Sequence, residues 1–226
     1  MTTPADHPDP LPTAWFDKVD TAPDAAFYAE PRLVQHIDDG AIRAVTETVA
    51  RHVAPGSDVL DLMSSWVSHL PPPDALPLGH VAGLGMNAAE LARNPRLADR
   101  TVHDLNADPT LPFPDASFDA VLITVSVQYL TRPVEVMAEV ARVLRPGGVL
   151  VVSFSNRMFA TKAVRVWQSV DEPERPRVVA AYLRAAGGLT EPEIEEHRPP
   201  RQWLGSGDPL WVVVAHRQPA PPVAGR

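Results

Sequence analysis

Between residues 55 and 216, short apolar runs alternate with amphipathic stretches, and no other feature constrains the fold so tightly. Val59–Leu62, Gly79–Leu84, Thr101–Leu105, Ala120–Val125, Val149–Phe154 and Leu210–His216 read as strands, several of them continuous apolar runs of the kind buried on both faces. Helices are expected over 31–53, 88–93, 133–144, 161–170 and 176–186, the first on the spacing of Leu33, Ile37, Ile42, Val45 and Val49. Asn87 can cap the second of these, with Glu90 completing a capping box, and Pro146-Gly147-Gly148 stops the third. Strands that alternate with helices need parallel pairing with crossovers, which predicts an α/β three-layer sandwich with helices on both faces of a mostly parallel sheet.

In such a sheet ligands lie beyond the carboxyl ends of the strands. That singles out Asp61, Met86-Asn87, Asp104 to Asn106, Ser126 to Tyr129, and Ser155-Asn156. With 226 residues the chain suits one domain, expected over 31–218, with 1–30 as a flexible leading segment and 219–226 as a disordered tail.

Composition narrows the chemistry. The chain has no cysteine, so disulfides, thiolate nucleophiles and Cys-ligated zinc are excluded, and its histidines show no metal-ligand spacing. A formal charge of -8 with only Lys18 and Lys162 as lysines disfavours a nucleic-acid partner. No apolar run reaches membrane-span length, and the acidic, Pro-rich start is not a signal peptide, so the expectation is a cytoplasmic protein, monomer or homodimer, acting on a small molecule without a metal.

Two segments, LPFPDASFDAVLITVSVQYL and EVARVLRPGGVLVVSFSN, together with VLDL at Val59–Leu62, resemble in order and spacing the class I S-adenosylmethionine-dependent methyltransferases of the small-molecule type. The resemblance implies a Rossmann-like seven-stranded sheet with an antiparallel last strand, S-adenosylmethionine as cofactor, and in-line methyl transfer to a small polar metabolite. It also implies site residues. Asp61 matches the carboxylate that holds the cofactor's amino group, and Asp104 or Asn106 the adenine contact beside the backbone of Leu105. Met86 and Asn87 fall where the ribose and adenine are held, though capping is an equal role for Asn87. Ser126 lies at the end of the fourth strand.

The chain departs from the family at the loop after the first strand, where Met63-Ser64-Ser65-Trp66-Val67 replaces a glycine-rich turn. Ser64 and Ser65 are small enough for close approach to a cofactor, but not free to take every φ. This departure leaves open an inactive, methyltransferase-like binding domain. A nicotinamide oxidoreductase falls away because GxGxxG is missing. For substrate and catalysis the candidates are Gln128, Tyr129 and His69 near the reacting groups, and Asn156 and Arg157 beyond the fifth strand. Tyr28 and Arg32 are candidates on a leading segment that can act as a lid. Neither Gln128 nor Tyr129 is a convincing base, and His69 is set against a packing role, as His103 is.

Overall fold

The computed structural model describes residues 11–198 and 207–219. In chain order its elements are α1 Asp24–Phe27, α2 Asp39–His52, β1 Val59–Leu62, β2 Val81–Gly85, α3 Ala88–Arg93, β3 Asp99–Val102 and β4 Phe118–Thr124. There follow α4 Pro133–Val143, β5 Leu144–Phe154, α5 Arg165–Ser169, α6 Arg175–Ala186, β6 Glu193–His197 and β7 Leu210–His216. The seven strands form one sheet in the order β3-β2-β1-β4-β5-β7-β6. Pairing is parallel from β3 to β5, and β7 runs antiparallel to both β5 and β6. The expected α/β architecture with a seven-stranded, mostly parallel sheet is therefore present.

Strand alternation divides the core in two. Leu60 and Leu62 face a cluster with Val121, Ile123, Val136, Met137, Val140, Trp167 and Tyr182, which packs α4, α5 and α6 on one side. Val59, on the other face, joins Val45, Val49, Leu91, Ala120 and Leu122 beneath α2 and α3. With a period of two, Asp61 shares the face of Val59. The chain winds outward from β1 in one direction and from β4 in the other. The crevice between the ends of these two strands is thus a topological switch point.

Several boundaries differ from the sequence expectation. The first long helix begins at Asp39, not Pro31, because Asp38 accepts the Ala41 N–H at 2.8 Å and caps it. Leu33, counted in the helical pattern, is 43% exposed and lies in a largely irregular strap over residues 11–37. The third strand ends at Val102, which leaves His103 in the loop after it and not packed inside a strand. The helix expected over 161–170 shrinks to Arg165–Ser169. Residues 11–30, expected as flexible, are bonded to the segment that follows β5. Asp20 N–H donates to Thr161 O at 2.9 Å, and Asp17 O accepts Arg165 N–H at 2.8 Å. The expected tail lies outside the described residues, except for Pro219.

Candidate functional site

A cavity of about 350 Å³ opens at the switch point. Its floor is the carboxyl ends of β1, β2 and β4, and its roof is the strap. Asp61 lies at the bottom, buried. Its Oδ2 accepts from Ser64 Oγ at 2.6 Å and from Ser68 Oγ. Burial drives its pKa up, the two hydroxyls pull it back, and the net result is about 6. Among the described residues no cation pairs with it.

The loop that lacks glycine keeps a glycine's geometry. Met63 takes φ 61°, in the left-handed region, at the position directly after β1. The close approach comes from the neighbouring strand. A Cβ on Gly85 would stand 2.1 Å from Ser64 O, so only glycine at the end of β2 lets the loop lie down. Ser64 N–H then donates to Leu84 O at 2.7 Å. The loop is tied further by Asn94, which donates to Ser65 O at 3.0 Å and Ser68 Oγ at 2.8 Å. A second strained residue faces the same cavity: Val125, just past β4, has φ 54°, unusual for a β-branched side chain.

The sequence candidates separate once their partners are known. Asp61, Ser64, Ser65, Met86, Asn87, Asp104, Leu105, Asn106, Ser126, Tyr129, His69, Tyr28, Arg32 and Arg157 all line the cavity. Gln128 and Asn156 do not. Gln128 is fully buried, with Nε2 donating to Val125 O at 3.1 Å, so it braces the turn after β4 and does not reach a bound molecule. Asn87 is saturated: Oδ1 accepts from Ala89 and Glu90 N–H, and Nδ2 donates to Tyr28 and Ala29 O. Asn106 is saturated too, donating to Asp24 and Tyr129 O and accepting twice from Thr131. Asp104 spends Oδ1 on Asn106 and Ala107 N–H, and its Oδ2 has no hydrogen-bond partner among the described residues. Ser126 Oγ is buried in the cavity wall with no hydrogen-bond partner among the described residues. Ser64 and Ser65 commit their hydroxyls to Asp61 and Glu90.

The roof is fixed by charge. Asp24 accepts from Lys18 Nζ at 2.7 Å and meets Lys162 Nζ at 3.1 Å, and both lysines are buried. Lys162 also reaches Asp20 at 3.1 Å and donates to Ala22 O at 2.9 Å. Burial alone would raise the Asp24 pKa, but the Lys18 and Asn106 bonds outweigh it and hold the carboxyl low. Farther along, Arg32 N–H donates to Glu90 at 2.7 Å, which joins the strap to α3. Aromatic rings line the side of the cavity toward β5. Phe159 lies 5.3 Å from Phe27, 5.2 Å from His36 and 6.0 Å from Tyr129, centroid to centroid.

Burial lifts Tyr28 well above the ordinary phenol range and raises Tyr129 as well, so neither ionises readily. Burial also pushes His69 and His36 down, with Glu90 partly restoring His36 and Arg32 opposing that restoration. Both are neutral imidazoles at neutral pH, and burial resists their protonation. Arg157 donates from Nε to Asp208 at 2.9 Å, and its side chain is 63% exposed. Among the described residues no cluster of His, Asp or Glu is arranged to hold a metal, and no helix is long and apolar enough to cross a membrane.

Three features escaped the sequence reading. Gly85 and Ser68 carry signals in hindsight: a glycine ending a strand, and a third serine within seven residues of Asp61. Asp24 carried none, because its role depends on Lys162, far away in the chain.

Comparison with known proteins sets this geometry in context. Residues 66–152 match the family model described as a methyltransferase domain. A stretch of 121 residues is 36% identical to a demethylmenaquinone methyltransferase of Renibacterium salmoninarum, covering 52% of this chain and 48% of the relative. The chain spans about half the length of the curated relatives it matches first. Among solved structures, the 1,6-didemethyltoxoflavin-N1-methyltransferase of Burkholderia thailandensis, with S-adenosylhomocysteine bound, shares the fold. Its TM-score is 0.54 at 20% identity, over 80% of each chain. The [4+2]-cyclase SpnF shares the fold as well, with a TM-score of 0.55 at 17% identity, over 87% of this chain and 92% of that one. The fold by itself thus accommodates more than one chemistry.

Proposed function

The chain belongs to the class I methyltransferase family, and from that premise we propose that it moves a methyl group from S-adenosylmethionine to a small acceptor held under the strap. One observation carries the reading. A buried carboxylate, Asp61, has no cationic partner among the described residues and lies at the switch point of the sheet, lining a cavity. A cationic ammonium is the natural complement of such a group. S-adenosylmethionine supplies that ammonium and an already activated methyl on a sulfonium sulfur.

The residues fit the rest of such a ligand. Asp104 Oδ2 is free to accept from an adenine amino group, with the Leu105 backbone beside it. Met86 and Leu105 offer apolar walls, and Ser126 Oγ offers a buried donor. Missing loop glycines were the argument for a lost site. Met63 φ and Gly85 speak against it, since they provide the same turn by other residues. The chain's own contribution to transfer is alignment and exclusion of water, which the fixed roof favours. For an acceptor that loses a proton, His69 and His36 are imidazoles lining the cavity, and burial makes both of them weak bases.

The acceptor itself belongs to this proposal. The matched relatives are named for demethylmenaquinone, and a planar ring of that kind is compatible with the wall of Tyr28, Tyr129 and Phe159. Calorimetric titration with S-adenosylmethionine and S-adenosylhomocysteine tests the reading. Micromolar binding of either is expected, and no binding at millimolar ligand would end it. Asp104→Ala is expected to weaken the cofactor, whereas Asn106→Ala is expected first to lower stability, because Asn106 braces the loop and Asp24.

A further inference from the structure

The cavity contains a second uncompensated charge, opposite in sign to Asp61. Arg32 lines it, and Nη1 is buried with no hydrogen-bond partner among the described residues. Its other terminal nitrogen, Nη2, donates to Phe27 O at 2.9 Å. Among the described residues no carboxylate pairs with the guanidinium, although Arg51, Arg132, Arg142, Arg145, Arg157 and Arg184 each have at least one. Burying a charged donor without a partner is unfavourable, by an amount that a ligand oxygen recovers.

The surroundings say what kind of oxygen. The guanidinium lies 4.2 Å from the Phe27 ring centroid, 5.4 Å from Phe159 and 5.8 Å from Tyr28. It therefore sits beside the aromatic side of the cavity, near the loop after β5, over the Phe27 ring in cation–π contact. A planar cation fixed among rings suits a conjugated ring that carries an anionic oxygen in its plane. Arg32 is held from both ends, by Glu90 at its backbone and Phe27 O at its side chain, so its fork is preorganised.

We propose that Arg32 reads an oxyanion on a planar, conjugated acceptor, a carboxylate or an ionised enol or phenol, which selects anionic over neutral rings. This rests on the methyl-transfer reading for the word acceptor, but the charge preference can be measured without it. The probes are naphthoate and its neutral isostere naphthamide, titrated into the full-length protein with and without S-adenosylhomocysteine. Wild type is expected to favour naphthoate by about tenfold to a hundredfold, the range of a charge-assisted hydrogen bond. Arg32→Met keeps the stem on Phe27 and should abolish the preference while leaving naphthamide within about twofold. Arg32→Lys should retain part of it.

Equal affinity for the two probes in wild type, or no binding of either at millimolar concentration, overturns the proposal. So does a different pattern, in which Arg32→Met weakens S-adenosylhomocysteine as much as naphthoate but spares methylthioadenosine. That result would assign the guanidinium to the carboxylate of the cofactor. If S-adenosylhomocysteine fails to bind while naphthoate is still preferred, the methyl-transfer reading falls and the anion site stands.

Discussion

Replacing Asp61 by Asn should make the protein more stable and worse at holding its cofactor, and both effects can be sized. Burial raises the carboxyl from its usual 3.8 to about 6, so ionising it inside the folded protein costs on the order of 3 kcal/mol. The native state binds the proton more tightly than the unfolded chain. Stability from this group is therefore complete below about pH 4, is lost as pH rises through about 6, and stays lost above it. Asn carries no charge, and its carbonyl can still accept from Ser64 and Ser68. Urea unfolding near pH 8 should show Asp61→Asn more stable by about 1–3 kcal/mol, with the gain vanishing near pH 4. In the same protein S-adenosylhomocysteine should bind about tenfold to a hundredfold more weakly, because its ammonium loses a charge-assisted partner. Wild-type affinity should also fall as pH drops through about 6, where Asp61 takes up its proton. A variant equally destabilised at both pH values would refute the claim that desolvation dominates at Asp61. Unchanged cofactor affinity would refute its pairing with the ammonium.

Other substitutions test the frame around that carboxylate. Gly85→Ala puts a Cβ 2.1 Å from Ser64 O, so the loop must move; about 1–3 kcal/mol of stability and at least about tenfold in cofactor affinity should be lost, by unfolding and calorimetry. At Met63, φ 61° favours glycine, so Met63→Gly should be more stable than Met63→Ala by about 1–2 kcal/mol in thermal unfolding, a comparison in which both lose the same packing. Asp24→Asn leaves Lys18 and Lys162 buried without a full countercharge; about 3–5 kcal/mol should be lost, with protease cleavage within 11–37 as the earliest sign.

What was legible in the sequence follows from which forces act locally. β1, β4, α4, α6 and β7 were readable because burial on one or both faces writes apolar periodicity directly into the residues. The strand β6, Glu-Ile-Glu-Glu-His, was not. It is an edge strand held by backbone pairing to β7, by an ion pair of Glu195 with Arg51 and by a hydrogen bond between Glu195 and His52, and its single aliphatic residue is exposed. The strap was misread as helix plus flexible leader because its course is set by distant partners: Asn87, Glu90, Thr161 and Lys162. At the site, residue types singled out Asp61 and Asp104 as cofactor contacts, and both line the cavity. They could not tell Asp104 from Asn106, since that distinction depends on which side chain has bonds to spare.

Gathering Lys18 and Lys162 around one strap carboxylate has a practical consequence. These are the only two lysines in the chain, and both ammonium groups are shielded while the strap lies in place. Amine-directed acylation or crosslinking at lysine therefore reports departure of the strap, not general surface exposure. A time course of lysine labelling, followed by peptide mass, becomes a clock for how often the roof lifts. A bound ligand that slows the clock does so by holding the roof down.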